Sequence, residues 1–430
     1  MNTNTESINI VTLGCSKNSV DSEVIAAQLQ KMGYRVFHET TNDTDIVIIN
    51  TCSFIQDAKE QSIEEILFYA ERKKKGIIKK LYVIGCLAQR YKDELAEMIP
   101  EVDAFYTFAE LHQLFHLDKF DLLGHSDRIL STPPHYAYLK VSEGCDRNCS
   151  YCAIPLIRGK QISKPIDQLV EEAQKLAQGG VKELMLIAQD LTYYGMDLTK
   201  HRDLEMLLRR LAQVKGLEWI RLHYAYPMGF PYEILDVMNE YSNICKYLDI
   251  PLQHISDDIL SDMHRGGNSM QTYKLIETIR DKVPGIALRT TLISGYPTET
   301  RAQHKELVEF VKQMKFERLG VFSYSQEEGT PAFPLGDPIK QSEKNRRLEE
   351  IMSLQEQISL EHNEKLVNKV LKVIIDAEED NYYVGRTEFD SPDVDNTVLI
   401  DKKKALAIGE FYPVMIHKAD CYDLYGSIIQ

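Results

Sequence analysis

The segment YLKVSEGCDRNCSYCAIP, residues 138–155, places three of the chain's eight cysteines within eight positions. Three residues separate Cys145 from Cys149, and two separate Cys149 from Cys152. Iron–sulfur clusters are held by cysteine thiolates, usually four for a cubane 4Fe-4S cluster, so three thiolates would leave one iron with an open coordination site. A tetrahedral zinc site is the alternative, and it would need a fourth ligand from a histidine or a distant cysteine.

The sequence around this loop alternates between strand and helix patterns from about Tyr136 to Pro331. Helices such as IDQLVEEAQKLAQGG separate six apolar runs that predict strands. These runs are AYLKVS, ELMLIAQ, LEWIRLH, KYLDIPL, IALRTTLIS and RLGVFSYS. Six such units fit a parallel α/β barrel, either complete or open and missing two strands. Barrels carry their chemistry at the carboxyl ends of the strands, where the cysteine loop is expected.

Residues 1–130 show a second alternating pattern, which predicts a doubly wound parallel sheet. Its apolar runs INIVTL, DIVIIN and LYVIG lead to Cys15, Cys52 and Cys86. The carboxyl ends of parallel strands share one edge, and ligands bind there, so these cysteines could meet in space. Three buried structural cysteines are the alternative, because Cys is among the most buried residue types.

The remaining segments complete a three-domain α/β organisation. A linker at STPPH, residues 131–135, precedes a central domain expected at 136–362, which ends in a long charged helix. Short β-type runs separated by turns in residues 363–430 predict a small antiparallel β-barrel. This last segment has 8 Lys and Arg against 13 Asp and Glu, a balance unsuited to phosphate binding.

The composition of the 430-residue chain is that of an ordinary globular protein, with a formal net charge of −15. Phosphate binding needs clustered Lys and Arg, so an extended nucleic-acid surface is not expected, whereas a basic partner is. Neither a signal peptide nor a run of roughly 20 apolar residues is evident, which predicts a cytoplasmic protein without a membrane span. In that reducing compartment, cysteines at ligand spacing are expected to bind metal.

The motif CDRNCSYC matches the C-x-x-x-C-x-x-C motif of radical S-adenosylmethionine (SAM) enzymes, and the predicted barrel resembles theirs. The resemblance implies that Cys145, Cys149 and Cys152 bind a 4Fe-4S cluster whose open iron chelates the amino and carboxylate groups of SAM. Reductive cleavage of SAM then gives a 5′-deoxyadenosyl radical, which abstracts hydrogen from an unactivated carbon. Tyr151 has the position of an aromatic residue usual in that family and is implied as a cofactor contact.

Over essentially its whole length the chain resembles methylthiotransferases. That family has an N-terminal three-cysteine domain, a partial (β/α)6 radical barrel and a C-terminal TRAM barrel, in that order. The resemblance implies that Cys15, Cys52 and Cys86 bind a second 4Fe-4S cluster, which delivers sulfur to the substrate radical. It also implies that SAM serves as methyl donor and as radical source. A sulfur donor and a reductant such as flavodoxin or ferredoxin would be the auxiliary partners.

Local motifs indicate the substrate. One branch of the family modifies tRNA adenosine beside the anticodon, and the other modifies an aspartate of ribosomal protein S12. Three motifs resemble the ribosomal-protein branch, namely LGCSKNSVDSE, LIAQDLTYYGMD and VGRTEFDSPDVDN. The second departs from the pattern at Leu191, where Thr is commoner, and the third at Asn396, where Gly is usual. The resemblance implies methylthiolation of the β-carbon of the S12 aspartate. An enzyme that modifies tRNA is the alternative within the enzymes. An iron–sulfur electron carrier or a non-catalytic RNA-binding protein is the alternative from a different class.

Residues at other predicted strand ends are candidates for the barrel site. The resemblance implies that Gln189 and Gln253 contact the cofactor. Arg289 could pair with the SAM carboxylate through its planar guanidinium. Asp190 is the candidate catalytic residue on the substrate side, because the two branches differ there, and an Asx turn is its alternative role. Further candidates are His254, Arg221 and Arg265, whereas Cys245 and Cys421 lack ligand partners at useful spacing and are expected to be structural.

Overall fold

The computed structural model describes residues 6–429, beginning with a five-stranded parallel sheet flanked by helices. Its strands are β1 (Ser7–Thr12), β2 (Arg35–His38), β3 (Ile46–Thr51), β4 (Lys80–Gly85) and β5 (Ala104–Phe105). Its helices are α1 (Ser16–Lys31), α2 (Gln56–Lys74), α3 (Cys86–Met98) and α4 (Leu111–Leu114). The strand order β2-β1-β3-β4-β5 is that of a doubly wound fold, as the sequence predicts.

Apolar side chains on both faces explain why this sheet is sandwiched between helices. All six residues of β3 are buried, as expected for a parallel strand covered on both sides. Val47 and Ile49 pack in one core with residues of α2 and α3, and Ile46 and Ile48 pack in a second core with residues of α1. Successive side chains of a strand point to opposite faces, which gives this division.

The central segment forms a six-stranded parallel sheet in the order β13-β12-β11-β10-β9-β6, with a small antiparallel β7–β8 pair beside it. The strands are β6 (Tyr136–Lys140), β7 (Ser142–Glu143), β8 (Ile162–Ser163), β9 (Glu183–Ile187), β10 (Trp219–Leu222), β11 (Ile244–Asp249), β12 (Ala287–Ser294) and β13 (Arg318–Ser323). The helices are α5 (Ile154–Arg158), α6 (Ile166–Gln178), α7 (Leu204–Ala212), α8 (Glu233–Glu240), α9 (Asp257–Asp262), α10 (Ser269–Lys282), α11 (Arg301–Met314) and α12 (Gln341–Glu364). The open barrel of six units is therefore confirmed.

The C-terminal segment is a closed five-stranded barrel, also as predicted. Its strands are β14 (Val370–Glu378), β15 (Tyr382–Arg386), β16 (Thr397–Asp401), β17 (Phe411–Ala419) and β18 (Asp423–Ile428). Four of its pairings are antiparallel, whereas β16 and β18 run parallel. Within residues 6–429, the longest helices are too polar to cross a lipid bilayer.

The connection between β15 and β16 enters the central barrel from the amino ends of its strands. Arg386 NH2 lies 2.7 Å from an oxygen of Glu183, the first residue of β9. Arg318, the first residue of β13, donates through Nε to Asp390 at 2.9 Å. The carbonyl of Glu388 accepts from Arg221 at 2.7 Å. The amino ends are thus covered, and the carboxyl ends carry the cysteine loop.

Candidate active site

The loop with Cys145, Cys149 and Cys152 connects β7 to α5 and is fixed by backbone contacts. Cys145 donates its N–H to the Gly159 carbonyl at 3.0 Å. Ser150, between the second and third cysteines, donates its N–H to the Met263 carbonyl at 3.0 Å. These bonds tie the loop to its own far end and to the helix after β11. The three thiols are therefore held in place by the fold.

The three thiols of this loop lie close enough to affect one another electrostatically. Burial raises the pKa of Cys145 to about 11 and that of Cys152 to about 12, and the charge of Cys149 adds to both shifts. Arg265 places its NH1 atom 3.4 Å from Cys149 Sγ and supplies a neighbouring positive charge. Cluster ligands are thiolates, so binding iron here would release protons.

Cys15, Cys52 and Cys86 converge at the carboxyl edge of the N-terminal sheet, after the adjacent strands β1, β3 and β4. Gly14 has a positive φ of 96°, and a Cβ atom at Gly14 would lie 2.8 Å from Cys52 Sγ, so only glycine fits there. Burial raises the pKa of Cys52 to about 12, with further contributions from Cys86 and Cys15. The sheet thus brings together cysteines that are distant in sequence.

The donor sets of both groups fit a cubane cluster with one open iron. Among residues 6–429, no three His, Cys, Asp or Glu side chains converge at the spacing that one metal ion requires. In a cubane cluster each thiolate binds a different iron, so the ligands stand farther apart than those of a single ion. Each group offers three thiols, and all eight cysteines are free of disulfides.

The two cysteine groups face each other across one interface. Cys86 packs in a small buried cluster with Ala153, the neighbour of Cys152, and with Ile157 of α5. Arg158, the last residue of α5, places NH2 3.4 Å from Cys86 Sγ and NH1 2.7 Å from an Asp21 oxygen of α1. The N-terminal sheet and the central barrel are therefore joined at the sites themselves.

Buried charges extend this contact to the barrel strand ends. Glu143 accepts from Arg158 at 3.0 Å, from Lys140 at 2.7 Å and from Gln189 at 2.7 Å. Burial acts to raise the pKa of Glu143, but Arg158 and Lys140 outweigh it and hold that pKa well below its usual range. A continuous chain of polar contacts thus runs from Cys86 through Arg158 and Glu143 to Gln189.

Gln189 and Asp190 follow β9, as the sequence predicts, and both side chains are engaged. Gln189 donates to Glu143, and its Oε1 is buried without a donor among residues 6–429. Asp190 accepts from the Thr192 N–H at 2.9 Å, which is the contact of an Asx turn. It also accepts from Arg147 at 2.7 Å, and Arg147 lies within the cysteine loop. The role of Asp190 toward substrate stays a prediction.

Backbone strain marks two other strand ends of the barrel. Tyr224, after β10, has φ 61°, and Gln253, after β11, has φ 73°. Such conformations cost energy in residues other than glycine and cluster at functional sites. The Oε1 atom of Gln253 is buried, and no donor in the described part of the chain reaches it. The adjacent His254 is fully buried; its Nδ1 accepts from the Ser256 N–H at 3.0 Å, and its Nε2 lies 3.9 Å from Glu299.

Arg289 and Tyr151, the other predicted cofactor contacts, are already in contact with protein groups. Arg289 pairs with Asp395 at 3.2 Å and with Asp249 at 3.5 Å, so a cofactor carboxylate would have to compete with both. Tyr151 is half-buried, with its hydroxyl 3.4 Å from a guanidinium nitrogen of Arg265. The involvement of Tyr151 and Arg289 in cofactor binding stays a prediction.

Several residues of the site were not predicted. Lys140, Glu143 and Arg158 form the bridge between the cysteine groups, and Lys17 lies over the barrel mouth. The sequence could have indicated Glu143 and Arg158 by their positions. Charged residues on both sides of a cysteine loop at a strand end are candidates for contact with the cysteines. Of the remaining candidates, Arg221 is fully buried beside Glu183, and Cys245 packs in the core with Trp219.

The fold and the site together define a class of protein. An open six-stranded barrel with three cysteines on the loop after its first strand is the architecture of a radical SAM enzyme, and the Radical SAM superfamily model matches residues 139–311. Models of the Uncharacterized protein family UPF0004 and of the TRAM domain match residues 7–107 and 367–429. Membership of the superfamily implies a 4Fe-4S cluster and SAM as cofactors.

Curated relatives identify the family within that class. Ribosomal protein uS12 methylthiotransferase RimO of Cytophaga hutchinsonii is 52% identical over 429 residues, which cover 98% of each chain. The protein of the same name from Flavobacterium johnsoniae is 53% identical over 427 residues, covering 98% of this chain and 97% of that one. The chain belongs to the RimO family of radical SAM methylthiotransferases.

Solved structures agree on the fold. The radical SAM methyltransferase TsrM from Kitasatospora setae, with cobalamin and a [4Fe-4S] cluster bound, has a TM-score of 0.56 at 14% identity and covers 76% of this chain and 77% of its own. The cobalamin-dependent radical SAM enzyme OxsB has a TM-score of 0.52 at 15% identity and covers 81% of this chain and 56% of its own. At these identities the likeness concerns the fold alone.

Proposed function

We propose that this protein replaces a β-hydrogen of an aspartate in ribosomal protein S12 with a methylthio group. The observation that best supports the proposal is the meeting of two three-thiol groups at one buried interface, through Cys86 and Ala153. Methylthiolation needs a radical at the substrate carbon and a sulfur atom close by, and two adjacent metal sites supply both. The full-length relatives named RimO support the same substrate.

The first proposed cluster is held by Cys145, Cys149 and Cys152, with SAM at the open iron. Bound there, the cluster and SAM would supply the radical chemistry for hydrogen abstraction from the substrate. Gln189, Gln253, Tyr151 and Arg289 are the proposed SAM contacts. Buried polar atoms without partners in residues 6–429 support this placement, namely Oε1 of Gln189, Oε1 of Gln253 and both amide atoms of Gln161. Unpaired buried polar groups are costly, so ligand groups are expected to satisfy them.

The second proposed cluster is held by Cys15, Cys52 and Cys86. Gly14 lets the Cys15 loop approach Cys52 closely, and Arg158 donates toward Cys86 Sγ at 3.4 Å. The buried guanidinium is expected to stabilise thiolate charge at Cys86, since a positive neighbour favours the ionised form. By joining the two groups, Arg158 would fix the distance between the sulfur source and the substrate radical.

Asp190 is the proposed substrate-facing residue of the barrel. Its carboxylate binds Arg147 at 2.7 Å, and the Arg147 guanidinium lies 4.1 Å from the centroid of the Tyr226 ring. This arrangement would hold Arg147 rigidly beside Cys145 and Cys149. A reductant such as flavodoxin or ferredoxin and a sulfur donor complete the proposed set of partners.

Modification of tRNA is the second candidate function, and charge argues against it. The chain carries a formal net charge of −15, and its terminal segment is acidic as well. Such a protein attracts a basic ribosomal protein and repels phosphate.

The experiment gives reconstituted enzyme, SAM, dithionite and sulfide as sulfur donor to purified S12 and, separately, to unmodified tRNA under anaerobic conditions. Mass spectrometry is expected to find one methylthio group in place of one hydrogen on an S12 aspartate and none on tRNA. A gain on tRNA alone would favour the second candidate. Absence of 5′-deoxyadenosine in both reactions would contradict a radical mechanism.

A further inference from the structure

Lys17 has an unusual environment for a buried cation. The residue is 8% exposed and belongs to the first turn of α1, two positions after Cys15. Its ammonium lies 3.2 Å from the centroid of the Tyr224 ring. Among the buried lysines and arginines of residues 6–429, Lys17 is the one whose side chain donates to no oxygen or sulfur atom of the protein. Its Nζ atom is not among the fully buried polar atoms without partners, so an anionic ligand can reach it. A mostly buried cation that no carboxylate within residues 6–429 balances favours such a ligand.

The ammonium faces the carboxyl ends of the barrel strands. Tyr224, over whose ring it lies, follows β10 and is held in its strained conformation by two backbone contacts. Its carbonyl accepts from Leu191 at 3.1 Å, and its N–H donates to Asp249 at 3.3 Å. Burial raises the pKa of Asp249, while Arg289 and the nearby Lys17 oppose that rise. Lys17 therefore reaches from α1 over the carboxyl ends of the barrel strands.

Within residues 6–429, Lys17 and Arg265 are cations near these strand ends without a carboxylate partner, but Arg265 donates to the Pro251 carbonyl and lies 3.4 Å from Cys149 Sγ. Arg147 is paired with Asp190, Arg158 with Asp21, and Arg289 with Asp395. All three are ion pairs between side chains of the protein itself. The charge of each of these guanidiniums is balanced by a carboxylate, although one amino group of Arg147 has no partner among residues 6–429. An incoming carboxylate is therefore expected to pair with the Lys17 ammonium, which no carboxylate of the described chain balances.

We propose that Lys17 binds the side-chain carboxylate of the aspartate that the enzyme modifies. The inference rests on the proposed function, because that substrate carries a carboxylate bonded directly to the reacting β-carbon. An ammonium that holds this carboxylate fixes the β-carbon between the two cysteine groups. Lys17 is thus a substrate-binding residue that selects an acidic side chain, and the neutral ring of an adenosine offers it no equivalent partner.

The test measures anaerobic binding of S12 to the reconstituted enzyme without reductant, so that no turnover occurs. Wild-type S12 is compared with an S12 variant whose target aspartate is replaced by asparagine. Lys17→Met is expected to weaken binding of wild-type S12 by about 30-fold or more, as for loss of one partner of a buried charge pair. The Lys17→Met enzyme should bind the asparagine variant of S12 at least as tightly as the wild-type enzyme binds that variant. The Lys17→Arg enzyme should retain most of the affinity for wild-type S12.

Lys31→Met is the matched control at the other end of α1. Lys31 is half-exposed and pairs with Asp127 at the surface, so this variant should bind S12 like the wild type. Equal binding of S12 by Lys17→Met and wild-type enzyme would overturn the assignment. The assignment would also be overturned if Lys17→Met lowered the affinity for the asparagine variant of S12 as much as the affinity for wild-type S12.

SAM is a second source of a carboxylate at this site. Formation of 5′-deoxyadenosine without S12, SAM affinity and iron content are expected to be unchanged in Lys17→Met. A weaker affinity for SAM, or loss of half of the iron, would instead place Lys17 at the cofactors and overturn the proposal. Failure of wild-type enzyme to bind S12 would contradict the proposed function itself, and this inference with it.

Discussion

At the scale of single residues, Arg158 connects the parts of the site. Its guanidinium contacts Cys86 Sγ, Asp21 of α1 and Glu143 at the start of the cysteine loop. Removing one partner from such a group of buried ion pairs leaves an uncompensated charge. When all partners are present, their hydrogen bonds hold the side chains rigidly. The same side chain thus serves the attachment of two domains and the surroundings of a cysteine. Domain attachment and the surroundings of Cys86 are therefore coupled at Arg158.

The thiols of Cys52 and Cys152 should react slowly in the cluster-free protein. The pKa of Cys52 and that of Cys152 are raised to about 12, mainly by burial. The thiolate is the nucleophile, so at pH 8 a thiol with a pKa of about 12 reacts about a thousandfold more slowly than one with the ordinary value. Alkylation followed by mass spectrometry should modify the exposed Cys15 first, and the rates at Cys52 and Cys152 should rise about tenfold per pH unit. Equal rates at all three would contradict this description.

At the scale of elements, the β15–β16 connection attaches the terminal barrel to the central one. Arg386, Thr387, Asp390 and Ser391 are buried, and Asp395 reaches Arg289 inside the barrel. Glu183 binds both Arg221 and Arg386, so one carboxylate joins the two barrels. The segment VGRTEFDSPDVDN, which resembles the ribosomal-protein branch in sequence, therefore has a structural role, because it closes the amino end of the central barrel.

Breaking this attachment should destabilise the protein. Asp390→Ala leaves the Arg318 guanidinium buried without its carboxylate, and the expected loss is about 3–5 kcal/mol in the free energy of unfolding. Lys372→Ala breaks a pair between half-exposed residues, Lys372 and Glu218, and should cost about 0–1 kcal/mol. Denaturant unfolding followed by circular dichroism measures both. Identical midpoints for the two variants would show that the buried pair contributes no more than the surface pair.

The limits of sequence-based prediction are visible in particular elements. The six barrel strands and the three cysteine-terminated strands were predictable, because long apolar runs bounded by helices have few other interpretations. The short strands β2 and β5 were not, since four and two residues give too little periodicity. The partner of Arg289 was also out of reach, because Asp395 lies 106 residues away and its approach depends on how two barrels dock. The parallel β16–β18 pair likewise depends on barrel closure.

At the scale of the whole molecule, three domains place all six proposed ligand cysteines on one side of the assembly. The N-terminal sheet contributes one group from its carboxyl edge, and the central barrel contributes the other from its first loop. The terminal barrel covers the opposite, amino-end side through the β15–β16 connection. The substrate is therefore expected to approach between the first two domains, where Lys17 and Tyr224 lie.

The negative charge of the molecule should govern its encounter with a basic protein. The association rate with S12 is expected to fall by about tenfold or more between low and high ionic strength, because salt screens long-range attraction. Dissociation should change less, since it depends on close contacts. Stopped-flow measurements over a salt series would test this. A salt-independent association rate would argue against electrostatic attraction between the two proteins.

The central claim is that two separate groups of three cysteines each hold a four-iron cluster. Anaerobic reconstitution followed by iron analysis is the most direct test. About eight irons per chain are expected in the wild type, and about four after Cys15, Cys52 and Cys86 are all replaced by Ala, with the same result for Cys145, Cys149 and Cys152. Full iron content in either triple variant would contradict the claim for that group.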